Sequence, residues 1–353
     1  MADPPRGSEP ASPRERRRLT LQDIADAAGV STGLVSLVLR GRSGPSAATA
    51  ARVTEVADRL GYRANRTASQ LASRRTQLLG VTMTPGNPYH GELVEEILTR
   101  TRERHFEVLL APVTRSHEEL GSIQSLVDSR CEVILLLNST LTPDDLDKAL
   151  DGLPAVCVGR DVDLPDVDVV TSGDAPAMRL LVDHLVSLGH TRIAHVDGGG
   201  PYLPQERREG FEAAMSAHGL RPLVIPGGET EEGGAEAADE LLRHEGVTAA
   251  VAYNDLAAIG LMDRLYSRGV QVPDDISVTG FDDDRIAGLH GINLTTIDPS
   301  KLEQARRAVD WALERVEGGR TDRLTYAFTP RLVVRGSTAA PRSHQARPAS
   351  TRG

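Results

Sequence analysis

Residues 20–31 run Thr20-Leu-Gln-Asp-Ile-Ala-Asp-Ala-Ala-Gly-Val-Ser31. Thr20 and Asp23 form a capping box: the hydroxyl can accept from a backbone N–H one turn on, while the carboxylate reaches back to the cap and suits the positive end of the helix dipole. A helix therefore starts near Leu21, with Leu21, Ile24, Ala25 and Ala28 on one face. Gly29 permits the positive φ of a tight turn, and Val30-Ser31 opens a second helix that turns Val35 and Val38 inward. A small residue where two helices cross, four positions before a turn glycine, spells a helix-turn-helix. A third helix is expected from Ser46, burying Val53, Val56, Ala57 and Leu60 and stopping at Gly61. Thr32, Gly33, Ser36 and Arg40 then lie on the outward face of the second helix, where they would meet a major groove, and Arg42 adds charge at its far end.

Charge is distributed to match. The chain of 353 residues has a formal net charge of −10, which spread evenly would disfavour a nucleic-acid partner. Residues 1–79, however, hold 13 Arg, no Lys and 7 acids, a net of +6, leaving −16 for the other 274 residues. Residues 1–18, with four prolines and the run Arg14-Glu-Arg-Arg-Arg18, read as a disordered basic arm. Cys131 and Cys157 each sit in an apolar run and are expected as buried thiols, which fits a reducing, cytoplasmic compartment. No signal-peptide core and no stretch of ~20 apolar residues is present, so neither secretion nor membrane insertion is expected.

From Leu78 onward, strand-like runs alternate with helical spacing. The runs are 78–83, 107–110, 133–137, 155–158, 192–196, 249–253 and 276–281. Each is short and largely apolar on both faces, as parallel strands buried beneath helices must be. Between them, Met178, Leu181, Val182, Leu185 and Leu188 recur at three and four residues, and Gly189 ends that helix as a cap. The pattern predicts an α/β fold: an all-α helix-turn-helix headpiece followed by two βαβ lobes with parallel sheets.

Residues 19–76 resemble the headpiece of the LacI/GalR family of transcriptional regulators. The resemblance rests on residues 20–31, Val35-Ser36, Gly61-Tyr62, Asn65-Arg66 and Ala68-Ser-Gln-Leu-Ala72. It implies a DNA-binding domain over 19–64 and a hinge over 65–77 that folds into a helix on operator DNA, with Leu71 wedged into the minor groove. The segment's own chemistry agrees, since Ala68, Leu71 and Ala72 give a small apolar edge able to kink a duplex. The DNA-contacting residues implied are Thr20, Ser31, Thr32, Gly33, Ser36, Arg40, Tyr62, Asn65, Ala68 and Leu71. Two departures stand out. Leu37 replaces the family's usual arginine and Arg40 appears where asparagine is common, so the operator should differ from the usual half-site; Arg63-Ala64 replaces a common proline before the hinge asparagine.

The resemblance continues over residues 78–337, which are similar to the family's periplasmic-binding-protein-like effector core. Its markers include Asn87-Pro-Tyr89, Leu188-Gly-His-Thr-Arg-Ile193, Asn254-Asp255 and Asp275-Ile-Ser-Val-Thr-Gly-Phe-Asp-Asp283. The lobes expected are 78–172 with 298–321, and 173–297 with 322–337, followed by a disordered tail over 338–353. Parallel sheets open their crevice beyond the carboxyl ends of the strands. The residues that follow strands are Tyr89-His90, Arg160-Asp161, Tyr202, Asn254-Asp255 and Phe281-Asp282. The family's effector positions coincide with Tyr89, His90, Arg207, Asp255 and Phe281, so the resemblance implies effector contacts there, with Asn254 joining them by its place after a strand, Arg207 and Asp255 as a polar pair gripping vicinal hydroxyls, and Asp282 as a loop-structuring acid. The resemblance implies a sugar or sugar derivative, although Gly159 stands where an effector-binding aspartate is usual and Thr230 lies where a stacking ring is often found.

Enzymatic readings find little support. Gly198-Gly-Gly200 has neither the dinucleotide fingerprint nor a P-loop lysine, and the whole chain holds only Lys148 and Lys301. No nucleophile setting, cofactor motif or metal-ligand spacing emerges, so no catalytic residue, cofactor or metal is expected. The sequence thus predicts a cytoplasmic, homodimeric regulator, by default a repressor, that binds palindromic double-stranded operator DNA under the control of a small-molecule effector. The alternative is a solute-binding protein built on the same two-lobed core.

Overall fold

In the computed structural model, residues 19–39, 44–61, 75–199 and 205–342 are described. Arg40, Arg42, Tyr62, the hinge residues Asn65, Ala68 and Leu71, Tyr202, the N-terminal arm and residues 343–353 lie outside them.

The chain divides into two units, Met1–Arg75 and Thr76–Gly353. In the first, helices α1 (Leu21–Ala28), α2 (Thr32–Leu39) and α3 (Ala47–Leu60) close over Ile24, Ala25, Ala28, Val35, Val53, Val56 and Ala57. Both halves of the Thr20/Asp23 capping box are made, and Gly29 and Gly61 end α1 and α3 with φ of 62° and 68°. Leu60, expected inside, is exposed at 39%, although it follows the buried Val56 by one turn of α3.

The second unit begins with β1 (Leu78–Met83), α4 (Pro88–Glu103), β2 (Glu107–Pro112), α5 (Glu119–Asp128), β3 (Val133–Leu137), α6 (Pro143–Leu150), β4 (Ala155–Val158) and β5 (Val167–Thr171). It continues through α7 (Asp174–Ser187), β6 (Ile193–Val196), α8 (Gln205–Ala217), β7 (Leu223–Ile225), α9 (Glu231–Leu241), β8 (Ala249–Ala252), α10 (Asp255–Ser267) and β9 (Ser277–Thr279). Last come β10 (Thr296–Asp298), α11 (Lys301–Gly318), β11 (Thr325–Ala327) and β12 (Arg331–Val333).

Two parallel sheets result, ordered β11-β5-β4-β3-β1-β2 and β7-β6-β8-β9, with β10 and β12 paired antiparallel. Their two-faced apolar runs have a direct cause. Along β3, Val133, Leu135 and Leu137 pack towards α4 and α11, while Ile134 and Leu136 pack towards α5 and α6. The second sheet is covered likewise, by α9 and α10 on one face and α7 and α8 on the other. Helices α9 and α10 cross so closely that a Cβ at Gly234 or Gly260 would overlap a carbonyl of the opposite helix.

All seven expected strands form; β5, β7, β10, β11 and β12 are additions. β5 escaped because Asp168 interrupts its apolar run. That carboxylate is fully buried, and it is satisfied by Arg315, Arg320 and the Leu324 amide, all far along the chain.

The chain crosses between lobes three times, after β5, after β10 and after β11. The third crossing corrects the expected boundary: residues 322–327 remain with the first lobe, since β11 pairs with β5, and the second lobe resumes only at β12. The tail expectation is corrected as well. Residues 338–342 are held down, with the Ala339 carbonyl 2.9 Å from His190 Nε2 and the Arg342 guanidinium paired with Asp274 and Asp275. Hydrogen bonds fix them where composition alone suggested disorder.

Candidate functional site

The headpiece offers one surface. Thr32 and Gly33 are exposed on α2, Ser36 is half-buried beside them, and Leu37 is also exposed. Thr20 and Ser31 are exposed and act as caps: Thr20 Oγ1 accepts from the Asp23 amide at 3.3 Å, and Ser31 Oγ from the Leu34 amide at 3.3 Å.

A second site lies where the strands of both lobes end. Arg207, near the start of α8, is 9% exposed. Its Nε donates to Asp174 Oδ2 at 2.9 Å and its Nη1 to the Tyr253 carbonyl at 2.7 Å. The guanidinium centre lies 3.6 Å from the Phe281 ring centroid and 4.5 Å from that of Tyr253. Burial opposes its charge, but Asp174, Tyr253 and Asp282 more than offset this and hold it firmly protonated. Asp174 is itself fixed by Ser172, whose hydroxyl donates to Oδ1. The sequence reading missed Asp174 and Tyr253, because each gains meaning only from Arg207, 33 and 46 residues away.

Tyr89 and His90, at the start of α4, contribute the first lobe. Tyr89 is buried; desolvation, then the charge of Asp282, push its hydroxyl strongly towards the neutral form, and Arg207 and Asp174 are also near enough to act on it. His90 Nδ1 accepts from the Thr84 amide at 2.9 Å, which leaves Nε2 buried without a partner among the described residues. Burial lowers its pKa to about 4, so the ring is neutral. Tyr89 of the first lobe thus lies within electrostatic reach of Asp282 and Arg207 of the second, where the Arg207 guanidinium stacks on Phe281.

Two assignments need correction. Asp255 does not form a polar pair with Arg207: it is fully buried at the start of α10, Oδ1 accepts from Thr296 Oγ1 at 2.6 Å, and Oδ2 accepts from the Asp284 amide at 2.8 Å. Desolvation raises its pKa to about 8 against those two hydrogen bonds. Asn254 is likewise a helix cap, its Oδ1 accepting from the Ala257 amide at 2.8 Å and its Nδ2 donating to the Glu229 carbonyl. Asp282 is also buried, its carboxyl is within electrostatic reach of Arg207 and it is pushed well above the usual carboxylate range, first by desolvation. Its position directly after a strand was the available signal.

On the far side, Arg160 is tied by Nη1 to the Ser139 and Leu141 carbonyls, each at 2.8 Å. It fixes a first-lobe loop next to Gly159, which stands where the family usually has an aspartate. The open φ of 92° at Gly159 is needed there, since a Cβ would overlap Asn138.

A helix-turn-helix headpiece joined to a two-lobed core of parallel sheets defines the class of two-domain DNA-binding regulators. Residues 20–65 match the profile of bacterial regulatory proteins of the lacI family, and residues 182–338 that of a periplasmic binding protein-like domain. The chain is 33% identical over 344 residues to the HTH-type transcriptional regulator MalR of Streptomyces coelicolor, covering 93% of this chain and 99% of that one. Among solved structures it is similar to the lac repressor dimer bound to operator and the anti-inducer ONPF, with a TM-score of 0.80, 27% identity, and coverage of 92% and 100%. It is also similar to a transcriptional regulator CelR–cellobiose complex, with a TM-score of 0.68, 29% identity, and coverage of 91% and 100%. The chain belongs to the LacI family of DNA-binding transcriptional regulators and is not an enzyme. Among the described residues, no helix is long and apolar enough to cross a membrane.

Proposed function

We propose that the protein is a cytoplasmic repressor that binds a palindromic operator as a homodimer and is controlled by a sugar or sugar derivative in the cleft between its lobes. The observation that carries this reading is the grouping of Tyr89, Arg207, Phe281 and Asp282 in the core of a chain that also carries a helix-turn-helix headpiece. A fixed guanidinium, a nearby carboxylate and aromatic faces suit a polyhydroxylated ring, whose hydroxyls both donate and accept while its C–H faces are apolar. The cellobiose complex of a relative supports the same class. In this reading Tyr89, His90, Arg207, Phe281 and Asp282 touch the effector, while Asn254 and Asp255 hold the wall. Thr20, Ser31, Thr32, Gly33, Ser36, Arg40, Tyr62, Asn65, Ala68 and Leu71 touch DNA.

Dimerisation is supported by α4 and the neighbouring edge strand β2, where Leu98, Leu109 and Leu110 are exposed. An uncovered apolar edge strand invites pairing. The effector acts through its differential affinity for two lobe arrangements, which change the spacing of the paired hinges.

Selection from random duplexes tests the proposal. An enriched palindrome is expected, with affinity falling steeply between low and physiological salt; no palindrome, or salt-insensitive binding, would sink it. Leu71→Ala should weaken operator binding and bending while leaving the thermal melt unchanged. A thermal-shift screen of sugars then finds the effector, because a ligand that binds only the folded core raises its Tm by mass action.

A further inference from the structure

Asp282 and Asp283 follow one another with φ of 110° and 48°, a conformation that L side chains rarely adopt. Every amide of this turn is engaged. Asp282 N donates to the Ile297 carbonyl at 2.9 Å, Asp283 N to Thr296 Oγ1 at 3.4 Å, Asp284 N to Asp255 Oδ2 at 2.8 Å and Arg285 N to Glu92 Oε1 at 3.2 Å.

The carbonyls of the turn converge on a single cation. Lys301 Nζ donates to the Asp282 carbonyl at 3.0 Å and the Asp283 carbonyl at 2.9 Å, and lies 3.4 Å from Asp284 Oδ1. The same ammonium is 3.0 Å from Glu92 Oε2 on α4 of the first lobe. Lys301 is buried, is one of two lysines in the chain, and is the first residue of α11, where the chain passes between lobes. Ser300, just before it, has φ of 60°. Glu92 in turn stands on the helix that begins with Tyr89 and His90. One cation thus binds the turn that presents Asp282 and the helix that presents Tyr89.

We propose that Lys301, with Glu92, is the positioning residue of the cleft: it aims the Asp282 carboxylate and links any movement of that turn to α4 of the first lobe. The proposal rests on the reading of this cleft as the effector site. An ammonium, with three donors on a compact centre, can serve carbonyls and carboxylates converging on one point, whereas a planar guanidinium cannot. A ligand that draws Asp282 rotates the peptides whose oxygens Lys301 holds, and so displaces the contact with Glu92.

The test is hydrogen exchange of the full-length chain, read peptide by peptide, with no DNA or effector present, so its failure is separate from failure of the regulator reading. In Lys301→Met, amides of 282–285 should exchange at least tenfold faster while those of α9, on the far face of the second lobe, stay within twofold of the parent. In Glu92→Gln, which leaves the lysine on the turn, Arg285 and the first turns of α4 should speed up while 283–284 remain protected. Lys301→Arg should resemble Lys301→Met rather than the parent. Unchanged exchange at 282–285 in Lys301→Met, or equal acceleration across α9, would overturn the proposal, the second result marking Lys301 as a general stability residue. Should Lys301→Met fail to fold, Glu92→Gln decides alone: exchange within twofold at Arg285 and α4 removes the link.

Discussion

The two lobes of the core share a parallel, helix-covered sheet but meet the cleft with different chemistry. The second lobe brings charge and satisfies much of it internally, with Arg207 clamped between Asp174 and the Tyr253 carbonyl and Asp255 bonded through both oxygens. The first brings neutral groups that keep bonding capacity, as in the buried His90 Nε2, which has no partner among the described residues. One wall is therefore a preformed template, and the other supplies bonds that only a ligand or a movement completes. Preorganised polar groups bind well because their ordering cost is met on folding.

Breaking the template should have the largest effect. Arg207→Met strands the buried Asp174 carboxylate, and loss of one member of a buried ion pair costs about 3–5 kcal/mol; urea unfolding should register that loss. A smaller loss would mean that Asp174 readily regains a partner or protonates, and the contrast between the lobes would weaken.

Next comes a pH effect to which each lobe contributes one group. His90 in the first lobe and His195 in the second are held neutral, burial lowering each pKa to about 4. The unfolded chain's histidines take up protons near pH 6.5 while these two native rings do not until about 4, so their contribution to stability is lost as pH falls through that window. The loss is on the order of 3 kcal/mol per histidine once both states have titrated. His195→Phe should lessen the fall in denaturant midpoint between pH 7.5 and 4.5 relative to the parent, and comparing the two chains separates the histidine share from Asp255 and Asp282, whose raised pKa values act in the opposite direction.

Asp282→Asn sharpens the comparison in the opposite direction. Desolvation disfavours its ionised form, so the neutral amide should stabilise the chain by about 1 kcal/mol at pH 7.5 while abolishing the thermal shift given by any sugar that stabilises the parent, the usual tension between stability and a working site. Smallest of all, His90→Gln in the first lobe should change stability by less than about 1 kcal/mol at pH 7.5 yet reduce that same ligand-induced shift. Equal effects of both substitutions on the ligand response and on stability would erase the distinction between template and closing wall.

Much of this was legible from residues close together in the chain. The Thr20/Asp23 box, the Gly29 turn and Val35 lie within sixteen residues of one another, and the headpiece forms as read. The two-faced apolar runs marked seven strands, because a strand under helices on both sides must be apolar throughout. Tyr89, Arg207 and Phe281 were found by position beyond strand ends or by family resemblance, and the fold does bring them together.

What the sequence could not reveal was who bonds to whom. Asp255 and Asp282 are both acids just past a strand, and no local feature says that the first will be consumed by Thr296 and the Asp284 amide while the second stays beside Arg207. The strand β5 hid behind Asp168, whose buried charge is tolerable only because Arg315, 147 residues on, meets it. Helix caps, turns and periodicity act over a few residues and can be read from order alone. Ion pairs in a buried cleft are contacts between distant segments, and only the packing of both lobes decides which charges meet, which are neutralised and which remain for a ligand.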